Sequence, residues 1–212
     1  MSKLSLWLER RRQFLGLAMA ATAALALVPA LGSASVGALQ KTSFKMFPNK
    51  PFRACAQAPG QTAKASVTVV RGDQNDALTL KLSGFKPNLA FDLFTVENSP
   101  QLANGDPDPN FKNFGLAWYQ SEVPVDQYGK ATVKVNTILL DEIFGFDPAV
   151  TLNPVNTFHV GFWFDDPADA AACGFTGSTP FNGTHDAGPL AFVTRPDQDT
   201  GLGPLCTKQT CP

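Results

Sequence analysis

The stretch TFHVGFWFDD, residues 157–166, constrains the fold more than any other part of the chain. Side chains of an extended strand point alternately to opposite sides, so residues two apart share a face. Phe158, Val160, Phe162 and Phe164 therefore fall on one side, and His159, Gly161, Trp163 and Asp165 on the other. A helix would scatter the same four apolar side chains around its axis. Only a pleated sheet presents them to one core, and a sheet needs partner strands of matching period.

Those partners are present. Val67 and Val69 alternate in KASVTVVRG, and Leu78, Leu80 and Leu82 in ALTLKLSGF. Phe114, Leu116 and Trp118 alternate in FGLAWYQSEVPV, and Val133 and Val135 in KATVKVNTI. AFDLFTVE and GPLAFVTRP read as further strands, and PFRACAQA as a weaker one opening the domain. Between them lie RGDQND, FKPN, ENSPQLANGDPDPN, VDQYGK and FDPAVTLNPVN, rich in residues that fix φ or tolerate positive φ. Only TILLDEIFG has helical spacing. Seven or eight short strands with turns between them, and no room for crossover helices, predict an all-β fold, an antiparallel two-sheet sandwich. Seventeen phenylalanines against two tyrosines suit it, because Phe adds apolar area without a polar atom to satisfy.

Four cysteines, Cys55, Cys173, Cys206 and Cys211, predict two disulfides, because metal sites favour close pairs such as C-x-x-C, which are missing. Three pairings are open; the preferred one joins Cys55 to Cys173 and closes a small loop between Cys206 and Cys211. Cys173 lies in the long Gly-rich segment from Asp165 to Gly188, which reads as a disulfide-tethered loop.

Arg10, Arg11 and Arg12 stand directly before an Ala-rich apolar run, Phe14 to Leu31, which ends in small residues. Cationic start, apolar run and small-residue cleavage site are the parts of an export leader. The expected organisation is a leader over 1–38, cut near residue 34 or 38, a β-domain over 39–200 and a tail over 201–212. Arg11, Arg12, Phe14 and Leu15 in RRQFLG resemble the twin-arginine export signal, which carries folded proteins across a membrane. An ordinary secretion signal and a retained anchor are the alternatives. The leader takes four of the 17 basic residues and one of the 18 acidic ones, leaving a mature charge near −4. That excludes a basic stripe for nucleic acid and leaves membrane contact to the leader alone.

LKLSGFKPNLAFDLFTV, followed by VDQYGKATVKV, resembles secreted immunoglobulin-like and fibronectin-type-III-like domains in its order of strand, Pro-Asn turn, strand and Asp-x-x-Gly hairpin. The resemblance spans roughly residues 64–136. It implies an immunoglobulin-like scaffold without a shared activity, and it transfers no site residues.

Catalytic constellations are thin. No serine stands in G-x-S-x-G, and Ser178, His185 and Asp186 are neighbours in one loop, whereas a triad draws on several elements. Asp165, Asp166 and Asp169 offer carboxylates that read first as turn caps. His159, His185, Cys173 and Met46 match a blue-copper ligand set by type but not by spacing. Asn104, Asp106, Asp108 and Asn110 alternate as calcium ligands do, without the glycine and distal Glu of a calcium loop. Trp163, His159 and Tyr119 form the candidate ligand face, a platform for sugar rings if open and part of the core if covered by the 165–188 loop. The expectation is an exported, non-catalytic β-domain without a cofactor. It acts as a structural or interaction protein on an envelope protein or polysaccharide. The alternatives are a carbohydrate-binding module and a secreted copper- or calcium-binding protein.

Overall fold

A computed structural model describes residues 41–72, 75–136, 157–177, 179–181 and 186–206, all within one compact unit spanning 38–212. The expected leader, the expected TILLDEIFG helix, Ser178, His185 and Cys211 lie outside the described residues, as does the side chain of Cys206.

Eleven strands follow in order: β1 (Lys41–Pro48), β2 (Lys64–Val70), β3 (Ala77–Ser83), β4 (Ala90–Val96), β5 (Ala117–Pro124), β6 (Ala131–Asn136), β7 (Thr157–Phe164), β8 (Thr179–Phe181), β9 (Asp186–Ala187), β10 (Leu190–Val193) and β11 (Leu205–Cys206). All pairings are antiparallel. The main sheet runs β5-β4-β7-β10-β1-β2-β3-β6, with β11 added to β7, and β8 and β9 form a separate hairpin.

The expected all-β antiparallel class holds, but the two sheets of the expected sandwich are one continuous ladder. The reason is β1, which changes partner along its length. Lys41 to Met46 pair with β2, whereas Phe47 and Pro48 pair with β10. A strand that switches partners turns a corner between two layers without breaking the sheet. At the other end β5 and β6 are joined by the turn at 125–130, where Asp126 Oδ1 accepts the amides of Tyr128 and Lys130 and Gly129 takes φ 71°. The Asp-x-x-Gly turn expected from VDQYGK is present, but the strands that it joins do not pair, so it is not a hairpin.

The core lies between the two halves. Val67, Leu78 and Leu80 come from one, and Phe91, Leu93, Val160, Phe162, Phe164 and Phe192 from the other, all at most 1% exposed. Phe85 packs against Phe91, Phe162 and Phe192 with ring centroids 5.1–5.9 Å apart. Each such ring contributes roughly 1.5–3 kcal/mol by leaving water.

The domain opens on β1, and not on the expected strand PFRACAQA. Pro51 fixes φ at the start of a 3-10 turn (Lys50–Phe52), which leads into a single helical turn, α1 (Arg53–Ala56). Cys55 of α1 is bonded to Cys173, 118 residues away, with Cα atoms 6.1 Å apart, as expected. Cys173 ends a second 3-10 turn (Pro167–Cys173), so the tethered segment has structure of its own.

Candidate functional site

Strand β7 is buried along its whole length and on both sides. Its first face, with Phe158, Val160, Phe162 and Phe164, belongs to the core. Its second face would meet water in a one-layer cover, but residues 97–116 and the segment around Ala187–Leu190 close over it. There Trp163 packs edge-on against Phe94 of β4 and Phe114, at 5.2 and 5.0 Å, and Phe111 extends the cluster at 4.9 Å from Phe114. A Cβ on Gly161 would stand 2.9 Å from the Trp163 ring and 3.4 Å from Leu190 Cδ1, so glycine there makes room for the indole.

The three residues of the candidate ligand face are placed differently. Trp163 is 5% exposed and His159 4%, whereas Tyr119 is 41% exposed. Tyr119 meets Phe94 at 5.6 Å and joins Trp163 only through that ring. His159 lies four residues back along β7, ~13 Å by strand rise, at the opposite end of the second face. No open three-residue platform results: Trp163 is covered chiefly by Phe94, Phe114 and Leu190 rather than by the 165–188 loop as a whole, and Tyr119 stays exposed.

At the His159 end a cleft of about 430 Å³ opens, with polar and apolar side chains mixed in its walls. It is lined by the start of β7, the segment that follows β4 and the segment after β10. Thr194 Oγ1 accepts the Val160 amide at 3.0 Å and lies 3.0 Å from His159 Nδ1. Burial pushes the His159 imidazole down to about 4, against a hydrogen bond with Thr194 that pulls the other way. The ring is therefore neutral at pH 7. Ser99 Oγ donates to the Thr194 carbonyl at 2.9 Å. Gln101 donates to the Pro48 carbonyl and accepts from Arg195 Nε at 2.9 Å, while the Arg195 guanidinium lies 3.9 Å over the Phe47 ring.

Glu97, immediately after β4, is the residue that sequence reasoning missed. It is 3% exposed and lines the cleft. Its Oε2 accepts the Leu116 amide at 2.9 Å, and its Oε1 is buried with no hydrogen-bond partner. Gly115, at φ 70°, lets the 113–116 turn approach this carboxylate, because a Cβ there would collide with it. Nothing in VENSPQ singles out this Glu; its burial is made by a turn some 20 residues later. Asn98, Asp108, Phe111 and Lys112 stand in the walls with the apolar Leu102 and Leu202.

At the Trp163 end three carboxylates converge. Oxygens of Asp92, Glu122 and Asp165 all lie within 4.8 Å of one another, and Asp92 and Glu122 are paired across β4 and β5. Tyr119 donates to Glu122 Oε1 at 2.7 Å. Burial, that hydrogen bond and the negative field of Glu122, Asp92 and Asp165 push its phenol above the ordinary range. Three side chains fall short of the six to eight oxygens that calcium takes. The alternating loop of Asn104 to Asn110 uses its oxygens internally: Asn104 caps Asp106, Asp108 caps Asn110, and Asp106 pairs with Lys50 at 3.5 Å. Cys173, bonded to Cys55, is no copper ligand. Asp166 caps the 3-10 turn by accepting the Ala168 amide at 2.8 Å, the turn-cap role expected of it. Burial, then the charges of Asp166 and Asp165, raise Asp169 above its ordinary value.

Compared with known proteins, the chain matches no family model, no curated protein and no solved structure.

Proposed function

We propose that this chain is exported and works outside the cytoplasm as a non-catalytic β-domain, holding a protein or polysaccharide of the cell envelope through the loops over β4 and β7. The single observation that carries this is the cleft at the His159 end of β7: loop segments 97–116 and 194–204 are laid over β4 and β7, a strand pair buried almost throughout. Binding residues on loops over a rigid sheet are the usual arrangement of recognition domains. The Cys55–Cys173 bond supports an oxidising compartment. The leader, with Arg11, Arg12, Phe14 and Leu15, supports passage by the twin-arginine route. The interlocking of Phe91, Phe162 and Leu80 between the halves joined at β1 supports an immunoglobulin-like sandwich whose layers share a corner strand.

Expression of the full chain in bacteria, followed by fractionation and N-terminal sequencing, tests export. A mature start near residue 34 or 38 outside the cytoplasm is expected, and Arg11→Lys with Arg12→Lys should hold the uncut chain inside. An uncut wild-type chain in the cytoplasm counts against the proposal. Purified protein should also sediment with envelope fragments, less so after Leu102→Asp at the cleft rim. Sedimentation indifferent to envelope would remove the binding role.

A further inference from the structure

The two halves of the main sheet carry opposite charge. Strands β1, β2, β3 and β6 contain no Asp or Glu, yet they hold Lys41, Lys45, Lys64, Lys81 and Lys134, and Lys130 directly precedes β6. Met46, Val67 and Leu80 turn into the core, so by alternation the lysines stand on the opposite side of the same strands. All six are exposed. Lys45 is opposite Ser66, Ser66 opposite Lys81 and Lys81 opposite Thr132, while Lys64 is opposite Ser83 and Lys134 opposite Thr79. Cross-strand partners of like charge would destabilise the sheet, and this register has none. It supplies no counter-charge either. None of the six lysines enters an ion pair among the described residues. By contrast, Lys50 pairs with Asp106, and Lys86 lies in the field of Asp169. The expectation that only the leader meets a membrane followed from net charge, which averages over this segregation.

We propose that the outer face of β1, β2, β3 and β6 docks on a bilayer surface through anionic phospholipid headgroups. The lysines spread over about 14 Å across the four strands and about 13 Å along β1, at ordinary strand spacings. They form an array in two dimensions. A thread of acidic sugar or nucleic acid follows a track of charge along its backbone, whereas a plane of phosphates meets the whole array. Lysine suits that contact, because it is a compact charge on a long stem that reaches past the Ser and Thr between. Lys45, Lys64, Lys81 and Lys130 also line one depression of about 730 Å³, which gives a headgroup room to enter. Tyr128, 70% exposed in the turn that leads to Lys130, is of the residue type that settles at headgroup level. The four strands present no large exposed apolar side chain, so attachment is electrostatic. This inference concerns a different part of the surface from the His159 cleft and stands whether or not the envelope-binding role does.

Flotation of the full-length chain tests it, with vesicles of phosphatidylglycerol and phosphatidylcholine in equal parts against vesicles of phosphatidylcholine alone. The wild type should bind the anionic vesicles at least tenfold more tightly. That excess should vanish at about 1 M salt, where charges act over only about 3 Å. Lys45→Gln with Lys81→Gln should reduce the excess about 25-fold, at about fivefold for each lysine near an anionic surface. Lys50→Gln with Lys86→Gln makes the same change in net charge outside the four strands and should leave the excess within about twofold. If the Lys45 and Lys81 pair does not fold, Lys41→Gln with Lys134→Gln carries the same expectation. Equal binding to both kinds of vesicle, an excess indifferent to salt, or equal losses in the two pairs of variants overturns the proposal. Tighter binding to polygalacturonate or duplex DNA than to the anionic vesicles, at matched charge, overturns it as well.

Discussion

His159 couples the cleft to pH. Its imidazole titrates near 4 in the folded chain, below the ordinary value of 6.5, because burial disfavours the charged ring. The unfolded chain therefore takes up a proton first as pH falls. Stability associated with this residue is complete above about pH 6.5, declines between 6.5 and 4, and is lost once the folded form also protonates. The full effect is about 3 kcal/mol as an upper bound. Urea midpoints measured from pH 7.5 to 4 should fall with decreasing pH, and His159→Asn should flatten the decline. A decline identical in both proteins would show that other groups cause it. At this scale the sequence reading reached the alternation that puts Phe158, Phe162 and Phe164 inward, because period two depends on neighbours alone. It did not reach Glu97, whose burial depends on Gly115 and on the 113–116 turn.

The elements show the same division. The strands β2, β3, β4, β6 and β7 were legible because each carries three or more apolar residues in register. β1 was not: KTSFKMFP alternates only Phe44 with Met46 before Phe47 and Pro48 break the period, and its strand character comes from the ladders on either side. PFRACAQA misled for a related reason. Its small apolar residues fit a strand, but Pro51 starts a 3-10 turn and α1 places Cys55 against Cys173. That bond ties α1 to the Pro167–Cys173 turn, and a closed loop of 118 residues should stabilise by about 4–5 kcal/mol through the unfolded chain. The double variant Cys55→Ser, Cys173→Ser should lower the urea midpoint accordingly and expose amides of 53–56 and 167–173 to hydrogen exchange first. A midpoint shift below about 1 kcal/mol would mean that packing of Phe52 on Phe175, whose centroids are 5.8 Å apart, holds the two turns together without the bond.

For the molecule as a whole, the main departure from expectation is continuity. Two separate sheets could loosen one at a time, but here one hydrogen-bonded path runs through the main strands and their side chains share a core. Unfolding should therefore be one transition, with far-ultraviolet and near-ultraviolet circular dichroism superimposing in urea. Two separated midpoints would show that the halves melt independently and that the corner at β1 is weak. The joint itself has a temporal consequence. Phe47 pairs with Val193, so the first strand of the described chain is locked in place by the tenth. During synthesis β1 can rest on β2 early, yet its far end has no neighbour until the ribosome has released β10.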